Sequence, residues 1–247
     1  DYINIVAEVP TGKRFVKWTS DSADVVFDSE TSETTSFEMP AGDITVTAAF
    51  EYIDYTVTVT GGTANKTTAH YGDSITITAA APETGKEFTS WTIEGVTVDD
   101  KTKAEITFTM PANAVTATAN YGDKAYLFAL ENCTADKETA KFGEEVTFTA
   151  DEIIGKRFDS WNIKGVDDLT GLDLTKSPLT ITMPANDINV AAVLEDIDYT
   201  VTVTGGTTDK ETAHYGDTVT ITANEITGAE FGRWEITGLD TSGLELS

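Results

Sequence analysis

The side chains best suited to chemistry are few. Two histidines, His70 and His214, and one cysteine, Cys133, are the residues that general-base, nucleophilic or zinc chemistry would draw on. Their placement argues against all three. The histidines occupy equivalent places in a repeated pattern, and the third such place holds Lys141. A position that exchanges imidazole for an ammonium is not expected to hold a base or a zinc ligand, so both histidines read as polar strand or turn residues. Cys133 aligns with Gly62 and Gly206, has no repeated histidine near it, and reads as a drifted turn residue. No Gly-x-Ser-x-Gly elbow, phosphate-binding glycine loop or dinucleotide fingerprint occurs. No catalytic residue is assigned.

Carboxylates are abundant, so acidic pairs arise by chance. Asp99-Asp100 and the group Asp167, Asp168 and Asp173 fall in one kind of loop. Calcium takes clustered oxygen ligands, which makes Asp167, Asp168 and Asp173 the calcium candidates. The loop has no EF-hand spacing and differs between repeats, so a solvated acidic loop is the competing and favoured reading. No other cofactor is implied. Asn113 and Asn186 could serve a Lys-Asn cross-link, but Gly42 replaces them in the first repeat, which argues against a bond present in every module.

Charge sets the partners. There are 16 Lys plus Arg against 42 Asp plus Glu, a net charge of -26. Nucleic acid and anionic membrane would both repel such a chain. No apolar run approaches the length that crosses a bilayer, so no membrane insertion is expected within this segment. The chain begins at Asp1 and reads as an excerpt from a longer protein.

The elements that must position these residues repeat. Trp18, Trp91, Trp161 and Trp234 recur at intervals of 73, 70 and 73 residues, each three residues after Phe15, Phe88, Phe158 and Phe231. Met39-Pro40, Met110-Pro111 and Met183-Pro184 each precede Ala. The divisions expected are a partial repeat at 1–52 without its opening strand, full repeats at 53–123 and 124–196, and a partial repeat at 197–247 without its closing strands. Within a repeat the period is two. Val57 and Val59 alternate with Thr56, Thr58 and Thr60, and Ile106, Phe108 and Met110 alternate with Thr107 and Thr109. Such alternation marks half-buried strands and an all-β class. Proline cannot donate to a ladder, so each Met-Pro reads as the corner between the last two strands. The Phe and Trp read as core, although an exposed indole that stacks on a sugar is the alternative. One helical turn near Val166–Leu172 is admitted, and Asn132-Cys133 in place of Gly-Gly implies a different first turn in the third repeat.

The runs Tyr-Thr-Val-Thr-Val-Thr-Gly-Gly at 55–62, Tyr-Gly-Asp-Ser-Ile-Thr-Ile-Thr-Ala at 71–79, Gly-Lys-Glu-Phe-Thr-Ser-Trp at 85–91 and Phe-Thr-Met-Pro-Ala-Asn at 108–113 resemble the divergent internalin B-repeat family. The resemblance covers essentially the whole chain. It implies small β-grasp-like or related β domains, with no catalytic residues, in bacterial surface or secreted proteins of Gram-positive or gut bacteria. A sandwich-like domain fits the strand pattern equally. With about three or four residues between repeats, the modules are expected to follow one another closely in an elongated array. Three functions follow in order of preference: a non-catalytic stalk of an adhesin-like surface protein, an array that binds glycan or host protein, and an accessory part of a large extracellular enzyme. The partners expected are the adjacent repeats, with self-assembly through strand edges as a further route.

Overall fold

A computed structural model describes residues 1–239. The chain divides into two compact units between Lys124 and Ala125. Helices are absent among the described residues, and every regular element is a strand.

The first unit opens with β1 (Tyr2–Val6), β2 (Lys13–Ser20), β3 (Thr34–Glu38) and β4 (Val46–Tyr52). It continues with β5 (Tyr55–Thr60), β6 (Gly62–Ala64), β7 (Thr68–Ala69), β8 (Ser74–Ala79), β9 (Lys86–Glu94), β10 (Glu105–Thr109) and β11 (Val115–Asp123). The seven strands β5 to β11 form two sheets, ordered β7-β5-β11-β9 and β10-β8-β6. Alternation turns Ile75 and Ile77 of β8, Ile106 and Phe108 of β10, and Val57, Val115 and Ala117 of the other sheet into one shared core. The threonines between them face outward. The module is therefore a two-layer sandwich, which decides between the two domain types that the sequence left open.

The second unit repeats this plan. Its strands are β12 (Ala125–Glu131), β13 (Cys133–Ala135), β14 (Thr139–Lys141), β15 (Glu145–Ala150), β16 (Lys156–Lys164), β17 (Leu179–Thr182) and β18 (Ile188–Asp196). They form sheets ordered β14-β12-β18-β16 and β13-β15-β17. Val146, Phe148, Ile181, Met183, Ile188 and Val190 fill the core between them. Four short strands follow: β19 (Tyr199–Thr200), β20 (Gly206–Thr208), β21 (Thr212–Ala213) and β22 (Ile221–Ala223).

Each complete sandwich closes on itself by one parallel pairing. The opening strand β5 lies beside the closing strand β11, Val57 opposite Val115, and β12 lies beside β18, Phe128 opposite Ile188. Every other strand pairing among the described residues is antiparallel.

The Phe-x-x-Trp spacing conflicts with a period of two, because residues three apart on a regular strand face opposite ways. A β-bulge resolves the conflict. Register shifts between Phe15 and Lys17 in β2, opposite Asn120 and Tyr121 in β9, and between Phe158 and Ser160 in β16. Val16, Thr89 and Asp159 are thereby left unpaired. The extra residue resets the alternation, so phenylalanine and tryptophan share the inner face. Their rings meet at 5.3 Å (Phe15–Trp18), 5.6 Å (Phe88–Trp91), 5.2 Å (Phe158–Trp161) and 5.3 Å (Phe231–Trp234) between centroids, tilted by 53° to 58°.

Two local expectations change. The third module keeps the first turn of its siblings. Asn132 takes φ 54°, matching Gly61 at 73° and Gly205 at 75°, since asparagine tolerates the left-handed region. No helical turn forms between Val166 and Leu172. A single bond from the Leu172 N–H to the Leu169 carbonyl closes a turn there instead.

Deleting Asp159 removes the extra residue of β16 and turns Phe158 away from Trp161. The expected loss is about 1.5–3 kcal/mol, the burial of one large apolar side chain, read by urea unfolding followed through tryptophan fluorescence.

Candidate functional site: the tryptophan staple and the module seams

The four indoles differ in burial. Trp18, Trp91 and Trp161 are buried, while Trp234 is half-buried. Phe15, Phe88 and Phe158 are half-buried, and Phe231 is exposed. Met110 and Met183 are fully enclosed, Met39 is exposed, and Pro40, Pro111 and Pro184 are half-buried beyond the ends of β3, β10 and β17.

Each of the three buried tryptophans holds its loop at two points. The Trp18 backbone N–H donates to the Glu30 carbonyl at 2.8 Å and its indole N–H to the Ser32 carbonyl at 3.0 Å. Trp91 does the same to Lys101 and Lys103, at 2.8 and 3.2 Å. Trp161 does so to Leu174 and Lys176, both at 2.8 Å. The loops differ in length and sequence, yet the two anchors always lie two residues apart. One consequence is packing, since the indole polar atom is met inside the fold. A second concerns the sheet margin. β2, β9 and β16 lie at sheet edges, and the loop backbone occupies the tryptophan N–H that would otherwise face a new strand.

The loop carboxylates are engaged in turns. Asp168 Oδ1 accepts the Thr170 N–H at 2.8 Å. Asp173 Oδ1 accepts the Thr175 hydroxyl at 2.6 Å and N–H at 3.1 Å, and its Oδ2 lies 2.9 Å from Lys176 Nζ. The Thr175 hydroxyl first, then Lys176, hold Asp173 down to about 2. Asp100 repeats the motif with Thr102. Among the described residues, no group of three or more His, Cys, Asp or Glu side chains is gathered for a metal ion. Asp167, Asp168 and Asp173 are thus not brought together.

The histidines lie where modules meet within each unit. His70 Nε2 is 3.0 Å from Asp54 Oδ1, and its ring stacks on Tyr52 at 4.8 Å. His214 Nε2 is 2.9 Å from Asp198 Oδ1. At the same seams the ladders β2–β4 and β16–β18 run one rung further, the Ile53 N–H donating to the Gly12 carbonyl and the Ile197 N–H to the Gly155 carbonyl, each at 2.9 Å. A side chain at Gly12 would sit 2.2 Å from Tyr71 Cβ, and one at Gly155 would sit 2.3 Å from Tyr215 Cβ. The tyrosine of each Tyr-Gly-Asp turn therefore rests directly on the preceding module's glycine. Both glycines also have positive φ, 76° and 78°, which a larger residue rarely adopts. Two residues separate β4 from β5, one separates β11 from β12, and two separate β18 from β19. These spans are shorter than the sequence implied because the closing strands run on to Tyr52, Asp123 and Asp196.

Cys133 is not in a turn. It is the first residue of β13, is buried, and its Sγ lies 3.4 Å from the Val190 carbonyl. Burial raises its thiol above the ordinary value, which disfavours the reactive thiolate. Reading the Gly-Gly pair as one turn caused the error: only its first member turns, and the second already pairs in the next strand. Asn113 and Asn186 use their side-chain amides on backbone carbonyls, Asn113 on Gly95 and Ala114, Asn186 on Gly165 and Asp187. Sequence reasoning also missed Tyr121, whose hydroxyl bonds the Gly61 carbonyl at 2.9 Å and the Ala80 carbonyl at 2.7 Å.

Tandem sandwiches with a repeated internal staple and glycine seams define a modular structural repeat protein of the all-β class. The family model for the divergent InlB B-repeat domain matches four times, at residues 1–54, 55–125, 131–198 and 199–245, and the chain belongs to that family. Domains of this family are repeat modules of bacterial surface and secreted proteins. A comparison with curated proteins gives no match.

Two outcomes test the site. Trp161→Phe keeps an aromatic ring but removes the indole donor, so a loss of about 1–3 kcal/mol and faster proteolysis between 165 and 178 are expected. Asp173 stands below its unfolded value of 3.8, so its stabilising turn is complete above pH 4 and is lost as pH falls toward 2. An NMR titration of the Asp173 carboxyl reads that midpoint directly.

Proposed function

We propose that this region is a non-catalytic spacer of an adhesin-like bacterial surface protein, which holds other parts of that protein away from the cell. The observation that carries the reading is the seam. Tyr71 rests on Gly12 and Tyr215 on Gly155, and only two residues separate β4 from β5 and β18 from β19, which leaves little room for a flexible linker inside either unit. A repeat that packs directly on its neighbour favours fixed reach over independent movement. The acidic surface supports the same role, because it keeps a long chain soluble and clear of anionic envelopes. The polar groups of the loops are engaged in local turns, which favours a structural over a catalytic use of the loops.

Small-angle X-ray scattering tests the proposal. A 247-residue globule would have a radius of gyration of about 18 Å. A spacer is expected to exceed that value well, with Gly12→Ala and Gly155→Ala broadening the distribution of distances. A wild-type radius near the globular figure would rule out the spacer.

A further inference from the structure

The outward face of one sheet departs from the rest of the chain. In the module of β5 to β11 the face carries Thr56, Thr58, Thr116, Thr118 and Asn120. Strand pairing fixes the equivalent places in the next module. There they hold Leu127, Ala129, Asn189, Ala191 and Val193. Four of the five positions have exchanged a polar side chain for an apolar one. Leu127 is 60% exposed and Val193 41%, so the exchange adds nothing to the core beneath. Two adjoining depressions of about 380 and 270 Å³ lie along this face, sharing Glu131, Asn162 and Ala191.

The face also carries its own charge code. The side chains of Lys164 on β16 and Glu131 on β12 are exposed and make no hydrogen bond or ion pair among the described residues. Lys164 lies across from Asn189, which lies across from Ala129. Asn162 lies across from Ala191, which lies across from Glu131. Lysine and glutamate thus sit at opposite corners of a two-row block, with Leu127 and Val193 just beyond its ends. A two-fold axis in the plane of the face, perpendicular to that diagonal, places each Lys164 over the partner copy's Glu131.

We infer that this face is a self-association site whose partner is the same face on a second copy of the chain. A basic partner would suit the chain's overall charge of -26, but this face is locally balanced and self-complementary, as an isologous contact requires. The patch spans three strands and a few residues, well under the roughly 800 Å² per partner of a standard interface. The dimer is therefore weak and fast-exchanging, and it gains strength as salt screens the long-range repulsion.

Sedimentation velocity of the full chain over a wide concentration series, at low and at moderate salt, tests the inference. A concentration-dependent monomer–dimer equilibrium is expected, tighter at moderate salt. The combined variant Leu127→Thr, Ala129→Thr, Ala191→Thr and Val193→Asn carries side chains that the preceding module already tolerates, and it should lose the dimer while keeping its unfolding midpoint. Lys164→Glu alone should weaken association by about ten-fold or more, and adding Glu131→Lys should restore it. A chain that stays monomeric throughout overturns the inference. So does a dimer that persists in the four-residue variant, or one that the paired charge exchange fails to restore.

Discussion

The fold turns on a single packing constraint: one indole must reach the interior of a sandwich too small to hold more than a few large side chains. Small domains have little interior to spare, and an aromatic ring is an efficient way to fill it. The bulges beside Trp18, Trp91 and Trp161 bring a phenylalanine to the same face. The indole nitrogen and the backbone nitrogen of the same residue then fasten the long loop across the sheet margin. Core, edge protection and loop order all depend on that one residue per module.

Around this centre the modules vary where variation is cheap. The strand-end pairs Lys86–Asp123 at 2.5 Å and Lys156–Asp196 at 2.8 Å give way in the first module to Lys13 lying 4.5 Å over the Tyr52 ring. Exposed contacts of this kind contribute little each, so their exchange costs little. The seam glycines are not exchanged, because a β-carbon at Gly12 or Gly155 would collide with the next module's tyrosine.

Much of this architecture was legible in the sequence, and the failures have physical causes. Thr-aliphatic alternation reports which face of a strand is buried, so the strands and the all-β class could be read directly. The bulge could not, because a Phe-Trp spacing of three looks like any other until one asks how both rings face inward. The spacing was the available signal. Parallel closure of β5 on β11 was invisible for a different reason: strand pairing is long-range, and alternation does not name partners. Cys133 was misread because its counterpart Gly62 is itself a strand residue, the first of β6, and alignment does not say which glycine of a pair makes the turn. Only Asn132 inherits the left-handed turn. The turns made by the acidic loop residues were also invisible, because a sequence does not show that Asp168 and Asp173 accept bonds from the threonines two residues further on.

The parallel pairing of first and last strands has a mechanical meaning. When a module is pulled by its two ends, force enters β5 at Tyr55 and leaves β11 near Asp123, and these points lie at opposite ends of two adjacent strands. The load then runs along the ladder, so its bonds are sheared together instead of being peeled one after another. β12 and β18 meet tension in the same geometry. A module built this way meets traction with the whole ladder loaded at once.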